Sequence, residues 1–233
     1  MNTFLKAAAF IALAGATGVT QAAFVDFDFA AGKPASSQGP HSVTVNGVVA
    51  RAFDNNNTGD PDLLWFRNQT NDHGIGVCDS SKTADNCGTG DGNELDNTDS
   101  LEIITLENTN GGDWVELWVS SLDSGGTNSM ETGTLLWNDI GTSFPLANSF
   151  TFHYGDFGTA VEGDLLSLAA ASGFDPTARF LAFIAGTSAS GRGNNDYLIW
   201  KGRIDTPVPE PTTLGLLGIG MLAFGFAGRR RAR

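Results

Sequence analysis

Phe24-Val25-Asp26-Phe27-Asp28-Phe29 sets apolar residues against acids with a period of two. A strand with one buried and one solvated face needs that alternation, and a helix does not. The rhythm recurs in Glu116-Leu117-Trp118-Val119 and in Ser149-Phe150-Thr151-Phe152-His153-Tyr154. Further β-rich runs cover 42–53, 63–66, 101–107, 114–122, 134–138, 164–169, 179–185 and 197–204, most of them bounded by Gly, Asn or Asp. The first of these turns or bulges at Asn46-Gly47, a strong hairpin dipeptide. About ten strands result, with no amphipathic helix and no internal repeat; only 163–171, rich in Leu and Ala, could form a helical turn. The expected fold is all-β, an antiparallel β-sandwich of jelly-roll type rather than a βαβ fold.

Outside that body, both ends differ in composition. Met1 to Ala22 has one cation, Lys6, an apolar run from Ala7 to Val19, and then Thr20-Gln21-Ala22. This is the make-up of a signal peptide, with signal peptidase expected to cut after Ala22. At the other end Val208-Pro209-Glu210-Pro211 precedes an apolar, Gly-rich run from Leu214 to Gly228 and the cluster Arg229, Arg230, Arg231 and Arg233. The prolines fix φ and donate no backbone hydrogen bond, so the motif stays extended, with the Glu210 carboxylate between them. The run is short for the ~30 Å hydrocarbon core but becomes a single transmembrane helix if its flanks snorkel. The arginines belong on the cytoplasmic side, which places everything before Pro209 across the membrane. Three segments follow: a signal peptide over 1–22, a β-sandwich passenger over 23–206 and a sorting tail over 207–233.

This tail resembles the PEP-CTERM sorting domain of Gram-negative bacteria. The resemblance implies recognition of Pro209, Glu210 and Pro211 by an exosortase, a membrane-embedded transpeptidase related in chemistry to cysteine proteases. It further implies removal of the helix and delivery to the cell surface or an extracellular polymer, the setting of exopolysaccharide and biofilm production. A second, looser resemblance lies in Gly74-Ile75-Gly76-Val77, the Glu94-Leu95-Asp96-Asn97 core and Glu102. It is similar to a pattern in β-sandwich passengers of PEP-CTERM proteins and speaks to fold, not activity; the Cys78 to Cys87 insert departs from the simplest form of it.

The formal net charge of −13 becomes more negative once Lys6 and the four C-terminal arginines are removed. Such a surface repels nucleic acid and anionic membranes and favours solubility and divalent cations. Two cysteines, Cys78 and Cys87, lie close together in an exported chain, where a disulfide is the expected state. Closing that loop contributes roughly 2.5 kcal/mol in the chain-entropy picture.

Candidate ligand chemistry concentrates in the polar stretch between 68 and 99. Asp91, Asn93, Glu94 and Asp96 offer oxygen donors of the kind calcium takes, although Leu95 breaks the EF-hand spacing. A solvated acidic loop is the alternative. Of the five tryptophans, Trp65 and Trp114 border polar loops and are read as surface sugar-stacking candidates, whereas Trp118 and Trp137 are read as core. His41, His73 and His153 fall in no nucleophile or metal motif, so no enzyme is expected. The first reading is an exported surface or matrix protein that binds exopolysaccharide. The alternatives are a secreted carbohydrate-active enzyme, a glycosidase or lyase using carboxylates such as Glu116 and Glu131, or a purely structural passenger.

Overall fold

The computed structural model describes residues 23–54, 62–69, 72–78, 94–95, 102–122, 131–138, 148–153, 164–166, 173–185 and 197–206. Phe24–Thr206 forms a compact unit. The leader over 1–22 and the tail over 207–233 lie outside the described residues. Among the described residues no helix is long and apolar enough to cross a membrane.

The structure is all-β, with two antiparallel sheets. Its strands are β1 (Ala23–Asp28), β2 (Ser36–Gln38), β3 (Ser42–Val45), β4 (Val48–Asp54), β5 (Leu63–Gln69), β6 (Asp72–Cys78) and β7 (Glu102–Asn108). Then come β8 (Asp113–Ser120), β9 (Thr132–Asn138), β10 (Ser149–His153), β11 (Asp164–Leu166), β12 (Phe180–Ala185) and β13 (Leu198–Thr206). One sheet has seven strands in the order β11-β8-β13-β6-β5-β2, with β1 also on β13. The other has six, in the order β10-β9-β12-β7-β4-β3.

Alternation places one face of each sheet in a shared core. Phe27, Leu64, Phe66, Ile75, Leu117, Val119 and Ile199 come from the larger sheet. Ala50, Ile104, Leu106, Leu135, Leu181 and Phe183 meet them from the smaller one. Each large side chain removed from water here stabilises the fold by about 1.5–3 kcal/mol. Two hydrogen bonds tie segments that would otherwise bury a bare polar group. Trp114 Nε1 donates to Ala178 O at 2.7 Å. Tyr197 Oη donates to Ile184 O at 2.9 Å, and burial pushes that phenol up well above its ordinary range.

The β3–β4 hairpin turns at Asn46 and Gly47, both at positive φ (48° and 81°), as the dipeptide predicts. Its turn is locked from outside. Asn110 Nδ2 and Thr109 Oγ1 donate to Asn46 O and Gly47 O, each at 2.7 Å, and a Cβ on Gly47 would collide with Asn110. Two strands come as additions to the sequence reading. β2 has no apolar residue to betray it, and β6 lies inside the polar stretch. In β6 the glycines alternate with Ile75 and Val77, so the period of two is present while the outward side chains are missing.

Candidate functional site

The residues singled out by sequence fall in different places. Ala22, Pro209, Glu210, Pro211, the arginines 229, 230, 231 and 233, Cys87, and Asp91, Asn93 and Asp96 lie outside the described residues. Glu94 is described and buried, with its carboxylate against the Arg67 guanidinium. Arg67 also faces Asp72 at 3.6 Å. Leu95 next to it enters the core and donates its N–H to Tyr197 O. This corner of the polar stretch is therefore an anchor, held by an ion pair and an apolar plug. Among the described residues no group of three or more His, Cys, Asp or Glu is placed to hold a metal.

The surface reading of Trp65 and Trp114 is corrected. Trp114 is 2 % exposed, its ring against Phe27 and its N–H committed to Ala178. Trp65 is 7 % exposed, packed with Cys78 and Leu63. Neither ring offers a face to a sugar. Trp137 is core as expected, but Trp118 is not. Its neighbours Leu117 and Val119 are both buried in the core, so a period of two turns Trp118 outward. Glu116 is on β8 of the larger sheet and Glu131 just precedes β9 of the smaller one, and Glu116 faces Arg203 at 3.5 Å.

What the structure brings together on the larger sheet is an aromatic and cationic cluster. β13 carries an irregularity against β8: Ile199 faces Val119 and Lys201 faces Trp118, leaving Trp200 as an extra residue. A bulge of this kind lets consecutive side chains emerge near one partner. Lys201 Nζ accordingly lies 3.9 Å from the Trp200 ring centre and 4.9 Å from that of Trp118. The two indoles meet edge to face, 6.3 Å apart. On β6 the His73 ring stacks on Trp200 at 4.9 Å and 21°, and its Nδ1 lies 3.0 Å from Asn68 Oδ1 on β5. His73 is fixed through its backbone as well, its N–H donating to Ser120 Oγ and its carbonyl accepting from the same hydroxyl.

Gly74 makes room for this arrangement. Its φ of 135° disfavours other residues, and a Cβ there would strike the Ile199 carbonyl. His73, Trp118, Trp200 and Lys201 are each half-buried. Rings held in that way are preorganised for a flat, partly apolar ligand, with an ammonium group beside them for an acidic or hydroxyl substituent. Sequence contains the signal for Trp118 in the parity of Leu117 and Val119. It contains none for the bulge that inserts Trp200 and brings Lys201 next to it.

The other sheet bears a charge cluster. Glu107 accepts from Arg51 at 3.0 Å and from Arg179 at 2.6 Å and 3.1 Å. Burial pushes this carboxyl up, but the hydrogen bonds and charges of the two guanidinium groups outweigh it and hold Glu107 below the usual range.

Comparison with known proteins adds one match. No curated protein and no solved structure matches the chain. Residues 207–231 match the family model described as the PEP-CTERM protein-sorting motif. With Pro209-Glu210-Pro211, the apolar run and Arg229 to Arg231 inside that match, the chain carries a PEP-CTERM sorting domain, which implies an exported protein processed by exosortase.

Proposed function

We propose that the sandwich is a surface or matrix passenger that binds extracellular polysaccharide on the outer face of its seven-stranded sheet. The supporting observation is the cluster of Trp118, Trp200, His73 and Lys201 on adjoining strands. A pyranose has apolar faces that pack on indole, and an ammonium group beside the rings adds hydrogen bonds to hydroxyls or pairs with a uronate. Lys201 now rests on the rings, so an acidic sugar draws it aside as it binds.

In this reading signal peptidase releases the chain after Ala22, and exosortase removes the apolar helix. The mature protein stays at the surface of a Gram-negative cell or in its polymer. Cys78, which is not free, pairs with Cys87, the chain's other cysteine. That bond closes the insert beside Trp65.

The test is titration of the passenger with purified acidic and neutral polysaccharides, together with sizing of each polymer afterwards. Binding without shortening is expected, weakened about tenfold in Trp118→Ala or Trp200→Ala, the equivalent of about 1.4 kcal/mol. Binding that survives both substitutions removes the cluster from the reading. Shortened polymer makes the protein an enzyme instead.

A further inference from the structure

The strand β1 pairs with β13, and the contacts fix their directions. Phe29 N–H donates to Trp200 O at 3.1 Å, Arg203 Nε donates to Asp26 Oδ1 at 2.7 Å, and the Arg203 guanidinium lies 5.5 Å from the Phe24 ring centre. Moving forward along β1 is moving backward along β13. The strands are antiparallel, so Ala23 and Thr206 reach the same end of the sheet. Thr206 is followed directly by residue 207, where the match to the sorting motif begins.

That end is well built. Asn46 Nδ2 donates to Asp26 O at 2.7 Å, the Asn46–Gly47 turn is held by Thr109 and Asn110, and Gly112 packs so closely on Asp205 that a Cβ would collide with its carbonyl. It also carries the two large hydrophobic side chains that are exposed among the described residues, Phe24 at 60 % and Val115 at 40 %. Phe24 lies beside Arg203. Val115 falls where the β8 register shifts, between Trp114 opposite Ile204 and Glu116 opposite Arg203. Both therefore border the last residues of β13.

Distance selects the partner. From Thr206 to Leu214, where the apolar run starts, is eight residues, which reach at most about 28 Å when fully extended. We infer that the end of the sandwich bearing Ala23 and Thr206 rests on the membrane that holds the sorting tail, with Phe24 and Val115 as its lipid contacts. This rests on the tail acting as an anchor before processing. Arg203 is already matched by Asp26 and Glu116, and Asp113 and Asp205 stand nearby. The contact is thus apolar and interfacial, made with zwitterionic rather than anionic lipid.

The test uses the full chain with Glu210→Ala, which keeps the tail, and a photoreactive benzoylphenylalanine at Phe24 or at Val115. His153, exposed on β10 and paired with Thr132, is the control position, at the end of the six-stranded sheet away from Asn46. After illumination in cells that have the sorting enzyme, phospholipid adducts are expected at 24 and 115. They should be about tenfold more abundant than at 153, which lies beyond the ~10 Å depth of an interfacial contact. Adducts to protein alone would give this surface to the sorting enzyme or another partner and overturn the inference. No adduct from a membrane-bound chain overturns the lipid contact while the anchor stands. A chain found in the soluble fraction overturns the anchor itself.

Discussion

Trp114 and Trp118 stand four residues apart on β8, an even spacing that puts two side chains on the same face of a regular strand. In this protein they end on opposite faces. The register against β13 slips between Glu116 and Trp114, so Val115 is an inserted residue and the strand before it is inverted. Trp114 thereby enters the core, where Phe27 and Ala178 receive it. Trp118 stays outside, where the second irregularity of the same strand pair inserts Trp200 and brings Lys201 beside the rings. Two inserted residues, Val115 and Trp200, separate a tryptophan buried in the core from tryptophans on the outer face. Position along a strand says little until the bulges are known.

Deleting Val115 attacks this contrast directly. It removes the inserted residue and turns Trp114 toward solvent, or else breaks the pairing of Asp113 and Trp114 with Asp205 and Ile204. A passenger that no longer folds cooperatively at 37 °C is expected from thermal melts. Wild-type melting would show that the bulge does not set which way Trp114 faces. The next largest effect is Trp114→Ala. Emptying a buried indole site and orphaning the Ala178 carbonyl costs about 4 kcal/mol. A domain of this size then melts roughly 12 °C lower. A loss as small as that of Trp118→Ala would put Trp114 back at the surface.

An outward position does not by itself make a residue dispensable. Glu107 faces away from the core on β7, yet its side chain is only 11 % exposed and takes three hydrogen bonds from two arginines. Glu107→Gln is expected to lose about 2 kcal/mol at neutral pH, since charge-assisted bonds are weakened and two guanidinium groups are left facing each other. The pH dependence identifies the cause. Glu107 titrates below its unfolded value, so its contribution is complete above about pH 4.3 and is lost as pH falls through the depressed folded value. The gap between wild type and variant should therefore be constant from pH 5 to 8 and close in acid, as followed by denaturant melts. A gap that persists in acid would mean that packing, not charge, is responsible.

Most of the strands and the two-faced pattern are legible because Phe27, Phe152, Leu117 and Val119 announce their own parity. So is the tail, whose motif is a linear signal that needs no folding to be read. β2 is not, having only Ser and Gln. β6 was hidden because Gly74 and Gly76 leave the outer half of its alternation blank. The sugar-stacking candidates were misplaced for a physical reason. A tryptophan beside a polar loop reads as exposed, whereas Trp114 is turned into the core by a register shift and Trp65, on the face of β5 away from Leu64 and Phe66, is covered by Cys78 and Leu63. The density of oxygen donors around Glu94 reads as a ligand site. Its actual partner, Arg67, is distant in sequence and arrives only through the β5–β6 hairpin.

Trp118→Ala is the smallest of these perturbations to the fold and the one that isolates the outer face. Trp118 is half-buried, and the contacts it loses are an edge to Trp200 and a cation above its ring, together worth about 1 kcal/mol. Melting should fall by roughly 3 °C, with the near-ultraviolet signature of Trp114 retained. Trp118→Phe should restore stability and, on the proposed function, polysaccharide retention, because a phenyl ring still offers a face to Lys201 and to a pyranose. If the alanine variant instead melted as low as Trp114→Ala, the outer cluster would be part of the scaffold. The half-buried rings would then be packing, and a ligand surface would have to be sought elsewhere on the sandwich.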